Sequence, residues 1–295
     1  NLPPTIIFDY PTIGALARFV TIQRSQQSRT KSHFKRRNNN DIKQSNAAST
    51  LNVQGEASLD RNRVHILSSA CEYPRDVYNS KQLFSALTSG CEFQQTVPSL
   101  RFNCDELGKS PSIATFISDI ASFDSELFQS SKAEVTTMDP QQRKLLELCL
   151  RNYVAIDGSQ ELKRAVGART GVYLGVMWTE YQHLLVAFKT PRNSFVGTGN
   201  GLSFLVGRPS FVFGLVGPSA VLDTACSSSL VAVRLAAQVT ASGEALDAHA
   251  AGTQCMLLAA TFRILSDLNA LSSDGRCKTL DASADGYGRG EGFAG

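Results

Sequence analysis

Apolar residues fall into short runs along most of this chain, and the runs switch between strand-like and helix-like spacing. Val64-His65-Ile66-Leu67 predicts a first core strand. Leu83, Phe84 and Leu87 share one helical face, and Gly90 is placed to end that helix. Asp139 and Pro140 stand before Leu145, Leu146, Leu148 and Cys149. That order gives a cap, a proline at the first helical position and a broad apolar face, the marks of a core helix. Residues 170–176 are β-branched, aromatic and bounded by glycine, which predicts a buried strand. Residues 219–222 are apolar and β-prone, and residues 231–238 are almost all helix formers, so residues 223–230 form a strand-to-helix turn. Residues 248–258 are small and apolar on both faces, as in a central parallel strand.

The first 61 residues differ. Ile13, Leu16, Ala17 and Val20 recur at helical spacing behind Thr12, but so short an amphipathic helix does not fold alone. Over residues 21–61 apolar content falls, and Gln, Ser, Asn, Lys and Arg take over. Such a composition cannot bury enough apolar area to offset the entropy of ordering. Arg24, Arg29, Lys31, Lys35, Arg36 and Arg37 cluster with no acidic residue among them. A docking or nucleic-acid patch is one meaning of that cluster, and a solvated tether is the other. Phe34 alone interleaves an aromatic, so the tether is the expectation. A flexible tether of about 40 residues spans roughly 35 Å.

Composition narrows the class only a little. The chain has 295 residues, a hydrophobic fraction of 42% and a net charge of +3, so nothing demands nucleic acid or a membrane as partner. The seven cysteines include no C-x-x-C pair, which argues against a zinc site and for a reducing compartment, with the cytoplasm as default and an organelle as the alternative. No apolar run approaches the roughly 20 residues of a membrane span.

The chemistry concentrates at Asp223-Thr224-Ala225-Cys226-Ser227-Ser228-Ser229-Leu230. The pattern puts Cys226 in the first turn of a buried helix, where unpaired amides and the positive end of the dipole favour an anion. A thiolate, the reactive form, is favoured there. The neighbouring serines are small enough for a ligand to approach the sulfur. A buried structural cysteine is the plainer alternative. This run resembles the active-site signature of β-ketoacyl synthases, and is most similar to the ketosynthase domains of type I modular polyketide synthases. The resemblance implies that Cys226 is the catalytic nucleophile.

Other stretches support the resemblance in the same order. Asn1-Leu2-Pro3-Pro4-Thr5 with Phe8-Asp9-Tyr10-Pro11-Thr12 resembles the end of an acyl carrier domain. Its phosphopantetheine serine would lie upstream of Asn1. Phe123-Asp124 with Phe128, then Met138-Asp139-Pro140-Gln141-Gln142-Arg143, is a second match, and residues 270–293 are a third. Two places depart from the family. In its Cys-Arg-Phe-Pro-Gly turn, Glu72 and Arg75 replace arginine and glycine; where Trp-Glu-Ala-Leu is usual, Arg151-Asn152-Tyr153-Val154 stands. Gly197-Thr198-Gly199-Asn200 lacks the third glycine and the setting of a dinucleotide loop. Asp281, Asp285 and Glu291 read as loop fasteners, with a metal site as the sharper alternative. His33, His65, His183 and His249 match no family motif and carry no catalytic assignment.

The resemblance implies an α/β, thiolase-like layered fold, of which residues 62–295 supply the N-terminal half, preceded by a carrier tail (1–20) and a basic, polar linker (21–61). It implies acyl transfer from a carrier thioester to Cys226, followed by decarboxylative condensation with malonyl carrier, in polyketide or fatty-acid synthesis. Expected partners are acyl carrier domains, acyl and malonyl thioesters, and a second copy in a homodimer. No cofactor is expected on the synthase itself, phosphopantetheine belonging to the carrier. The family's two catalytic histidines and the lysine beside them lie in a later region. The rival expectation is therefore that these 295 residues alone form a non-catalytic fragment or interaction module that exposes an apolar face and aggregates.

Overall fold

A computed structural model describes residues 64–190 and 193–295. The carrier-like tail, the linker and His33 lie outside those residues. In chain order the strands are β1 (Cys71–Glu72), β2 (Gln95–Thr96), β3 (Ile113–Ala114), β4 (Thr170–Gly175), β5 (Ser219–Leu222), β6 (Asp247–Gln254) and β7 (Gly292–Ala294). The helices are α1 (Ser80–Thr88), α2 (Lys132–Val135), α3 (Pro140–Ala165), α4 (Tyr181–Ala187), α5 (Phe195–Asn200), α6 (Leu202–Phe213), α7 (Ser228–Ala241) and α8 (Ala259–Asp267).

One mixed sheet runs in the order β1-β7-β6-β4-β5. β4 pairs in parallel with both β5 and β6, while β7 runs antiparallel to β6 and to β1. Every residue of β4 is buried. Val172 and Leu174 point to one face, where they meet Leu145, Leu146, Cys149 and Tyr153 of α3 and Leu205, Val206 and Phe213 of α6. Tyr173 points to the other face, against Ala232 and Ala236 of α7. Burial of β4 on both faces explains its continuous apolar run. The result is helix on sheet on helix, with β4 packed between the two helical layers.

The core helix begins as its sequence predicts. Asp139 Oδ1 accepts from the Gln141 N–H at 2.8 Å, and Pro140 is the first helical residue. Helix α1 is capped by Asn79, and Gly90 follows it at φ +66°. The face carrying Phe84 and Leu87 is exposed, not buried.

Residues 64–67 are not a core strand: they form no strand, and Ile66 is 88% exposed. An apolar run becomes a strand only where a neighbour pairs with it, and the edge of this sheet pairs instead with Cys71 and Glu72. The central strand also stops at Gln254 rather than running to residue 258, because Cys255–Leu258 turn away to start α8.

The two departures from the family pattern meet in space. Glu72 is buried, and its carboxylate accepts from Arg151 Nη2 at 3.0 Å while Lys144 Nζ lies 3.0 Å away. The turn beyond it places Arg75 and Asp76 at φ +60° and +57°, a region that glycine enters more cheaply. The Glu72 carboxylate on β1 is thus charge-balanced by Lys144 and Arg151 of α3.

Candidate active site

β5 and β4 end side by side, with the Val176 N–H donating to the Leu222 carbonyl at 3.0 Å. The chain leaves β5 through Asp223 and Thr224, makes one 3-10 turn over Ala225–Ser227 and enters α7 directly. Cys226 is the middle residue of that turn, and it is exposed. It therefore stands at the carboxyl ends of the parallel strands β4, β5 and β6, the edge where open α/β sheets bind ligands.

Short hydrogen bonds hold the turn. Ala225 sits at φ +56°, a left-handed conformation that a non-glycine residue adopts only when its surroundings require it. Asp223 Oδ1 accepts from the Ala225 N–H at 3.0 Å. The buried Ser228 hydroxyl accepts from the Thr224 N–H at 2.9 Å and donates to the Ala225 carbonyl at 2.6 Å. Ser227 Oγ donates to the Thr224 carbonyl at 2.9 Å. The backbone on both sides of Cys226 is pinned in this way, and the side chain is left open to solvent. In the sequence the serines matter for being small. The structure adds that the hydroxyl of Ser228 closes the turn.

Helix α7 is less buried than expected. Only Ser228, Ala232 and Ala236 are buried, and Leu230 and Val233 are 70% and 50% exposed. Among the other described cysteines, Cys149 is enclosed in the core and its thiol is pushed up to about 12 by burial. Burial also raises Cys255, with the Glu291 carboxylate adding to the effect. Cys91 and Cys277 are exposed but stand outside the elbow.

The described histidines sit away from the elbow's hydrogen bonds. His249 pairs in register with Val172, so it faces α3, across the sheet from α7. It packs edge-on against Tyr153 at 4.8 Å, and burial lowers its pKa. His65 and His183 are exposed.

Four carboxylates fasten the loops at this end of the sheet. Glu180 Oε2, just after β4, accepts from the N–H groups of Leu257 and Leu258 at 2.6 and 2.7 Å, just after β6. The sequence offers no signal for Glu180, since both of its amide partners are far along the chain. Glu291 accepts from the Ile117 and Met256 N–H groups and from Arg101. Asp285 accepts from Lys278, Ser273 and Ser272, which hold its carboxyl well below the usual range. Asp281 accepts from Ser283. Among the described residues no group of three or more His, Cys, Asp or Glu is placed to hold a metal ion.

Asp139 carries a pH signature. Its second oxygen is buried without a hydrogen bond, and burial raises its pKa to about 6, opposed by the Gln141 N–H and by Arg143. The folded state therefore keeps a proton that the unfolded chain releases near the ordinary 3.8. Between those values the folded state binds more protons, so this residue's contribution to stability falls as pH rises toward about 6 and stays low above it. Asp139→Asn keeps the capping oxygen and removes the titration. Urea unfolding from pH 4 to 7 should show a loss for the native protein that the variant lacks, by about 2 kcal/mol. Parallel stability curves for the two proteins would contradict this.

Residues 61–295 match the model of the β-ketoacyl synthase N-terminal domain, and the chain belongs to that family. The relatives are ketosynthases of polyketide synthases, and the fold is their thiolase-like fold. Over 78% of its length the chain is 38% identical to a phenolphthiocerol/phthiocerol polyketide synthase of Mycobacterium tuberculosis. Over 99% of its length it is 34% identical to the pikromycin polyketide synthase component PikAII of Streptomyces venezuelae. It spans 15% and 8% of those two proteins. The solved ketosynthase from module 6 of the Bacillus subtilis bacillaene synthase superposes with a TM-score of 0.69 at 28% identity, over 77% of this chain and 38% of that one. Among the described residues no helix is long and apolar enough to cross a membrane.

Proposed function

We propose that the protein to which these residues belong is a β-ketoacyl synthase of a polyketide or fatty-acid synthase, with Cys226 as its nucleophile. The observation that carries this is the exposed thiol in a hydrogen-bonded elbow at the carboxyl edge of the sheet. The Cys226 thiolate attacks the carbonyl carbon of an acyl thioester, and the carrier's phosphopantetheine thiolate leaves with the electron pair. Malonyl carrier then loses carbon dioxide, and its enolate carbon attacks the acyl carbonyl held on Cys226. The carbon–sulfur bond breaks, the thiolate returns, and a β-ketoacyl carrier leaves. The phosphopantetheine arm acts as substrate and is held on a carrier domain. The groups that assist decarboxylation belong to the family's later histidine region.

The domain plan follows from the same reading: a carrier tail over 1–20, a tether over 21–61 and the synthase from 62 onward. The exposed apolar residues Phe204 and Phe211 on α6 and Leu230 and Val233 on α7 support burial against further protein, a second copy included. The test is to incubate the full natural protein with an acyl thioester and malonyl carrier and to analyse the carrier by mass spectrometry. A β-ketoacyl carrier in the presence of both substrates supports the proposal. Transfer to carrier without carbon–carbon bond formation would replace it with a simple acyltransferase.

A further inference from the structure

The nucleophile turn is held from its own strand by hydrogen bonds, but its depth against the sheet is set elsewhere. Gly175 ends β4, and Gly252 lies beside it on β6 as its partner in register. Side chains at paired positions of neighbouring strands share a face, so both glycines lie on the side of Tyr173 and Ala250, which is the α7 side. One row back the sheet carries Tyr173 and Ala250. At the row nearest Cys226 these two strands carry no side chain at all.

The first turn of α7 fills that gap. A Cβ on Gly175 would overlap the Ser228 carbonyl carbon and the Ser229 nitrogen, and would lie 2.7 Å from the Ser228 oxygen. A Cβ on Gly252 would lie 2.7 Å from the Cβ of Ser229. Neither glycine has the positive φ that disfavours other residues, so backbone conformation does not account for them. The requirement is close approach. Ser228 is the same residue whose hydroxyl closes the turn around Ala225, so any lift of its backbone is passed to Cys226.

We infer that Gly175 and Gly252 form a two-strand notch that seats the first turn of α7 and fixes the position of the Cys226 sulfur, making both glycines positioning residues. The inference rests on Cys226 being the nucleophile.

The two contacts differ in kind, and the difference supplies the test. Gly252 is opposed by a side-chain carbon, which can be removed. Gly175 is opposed by backbone, which cannot. The full natural protein is treated with hexanoyl N-acetylcysteamine thioester, and acyl loading of Cys226 is timed by peptide mass spectrometry. Iodoacetamide labelling of Cys277 and the melting temperature are followed in parallel. Gly252→Ala should slow loading of Cys226 by roughly tenfold to a hundredfold, the effect of a displacement on the order of 1 Å. Labelling of Cys277 should not change. Adding Ser229→Gly should restore loading in Gly252→Ala, while Ser229→Ala, which keeps the Cβ, should not. Ser229→Gly should leave Gly175→Ala slow.

Loading at the native rate in both glycine variants would overturn the notch. So would equal rescue by Ser229→Gly and Ser229→Ala. If Gly252→Ala is insoluble, recovery of a soluble, loading protein by Ser229→Gly supports the notch, and continued insolubility counts against it. A native protein that never loads at Cys226, while a different cysteine does, overturns the nucleophile assignment and with it this inference. Native loading with unaffected variants overturns the notch alone.

Discussion

Glu291→Ala should abolish cooperative folding of the synthase core. The native carboxylate is fully enclosed and accepts from the Ile117 N–H at 2.8 Å, the Met256 N–H at 2.9 Å and Arg101 Nη2 at 3.2 Å, while the Cys255 thiol lies 3.6 Å away. It thereby joins four parts of the chain: the segment between β2 and β3, the segment after β3, the end of β6 and the start of β7. Alanine leaves two buried amides without that acceptor, at about 1–3 kcal/mol each. It also leaves the buried Arg101 charge without its carboxylate, at about 3–5 kcal/mol. Even the lower sum, about 5 kcal/mol, matches the whole stability of many domains. Thermal melting by circular dichroism should lose its cooperative transition, and the variant should accumulate as aggregate. Glu291→Gln, which keeps one acceptor oxygen and the shape, should fall between. A cooperative Glu291→Ala melt within a few degrees of the native one would show that the carboxylate is dispensable.

Ser228→Ala should leave the fold standing and cripple the elbow. The lost hydroxyl serves two groups at once, the Thr224 N–H and the Ala225 carbonyl. Without it, the turn that keeps Ala225 at φ +56° loses its closure and relaxes toward ordinary helical geometry. Cys226 moves with it. A shift on the order of 1 Å at a reacting atom costs about a hundredfold in rate. The stability cost is smaller, about 1–3 kcal/mol for one doubly used buried hydroxyl. Acyl loading of Cys226 should fall about a hundredfold in a variant that still melts cooperatively. Native loading in Ser228→Ala would mean that the local backbone holds the turn without help.

These two residues also mark how much the sequence discloses. The elbow is legible because its signals are adjacent: a β-prone run, a Cys-Ser-Ser-Ser turn and a helix-forming run follow one another without a gap. The same holds for the Asp139 cap and Pro140, and for the buried strand over residues 170–176. Features that depend on distant partners are not legible. The Val64–Leu67 run looks like a strand by composition, yet pairing decides strands, and the sheet edge goes to Cys71 and Glu72. Glu72 and Arg151 read as two separate departures from the family until the fold places them 3.0 Å apart. Glu180 carries no motif, and its role appears only once Leu257 and Leu258 arrive beside it. Gly175 looks like the end of a strand, and its use as a seat depends on Ser228 and Ser229 more than fifty residues later. Sequence periodicity reports which residues share an element; it does not report which elements meet.

As a nucleophile, Cys226 takes an acyl group from a thioester onto its sulfur. The direct measurement is peptide mass spectrometry of the full natural protein after brief exposure to acetyl and hexanoyl N-acetylcysteamine thioesters, with hydroxylamine treatment as the check for a thioester link. The expected result is a hydroxylamine-labile acyl mass on the peptide containing Cys226, with Cys149 and Cys255 unmodified in their buried positions. Acyl mass on another cysteine, with Cys226 left bare, would contradict it.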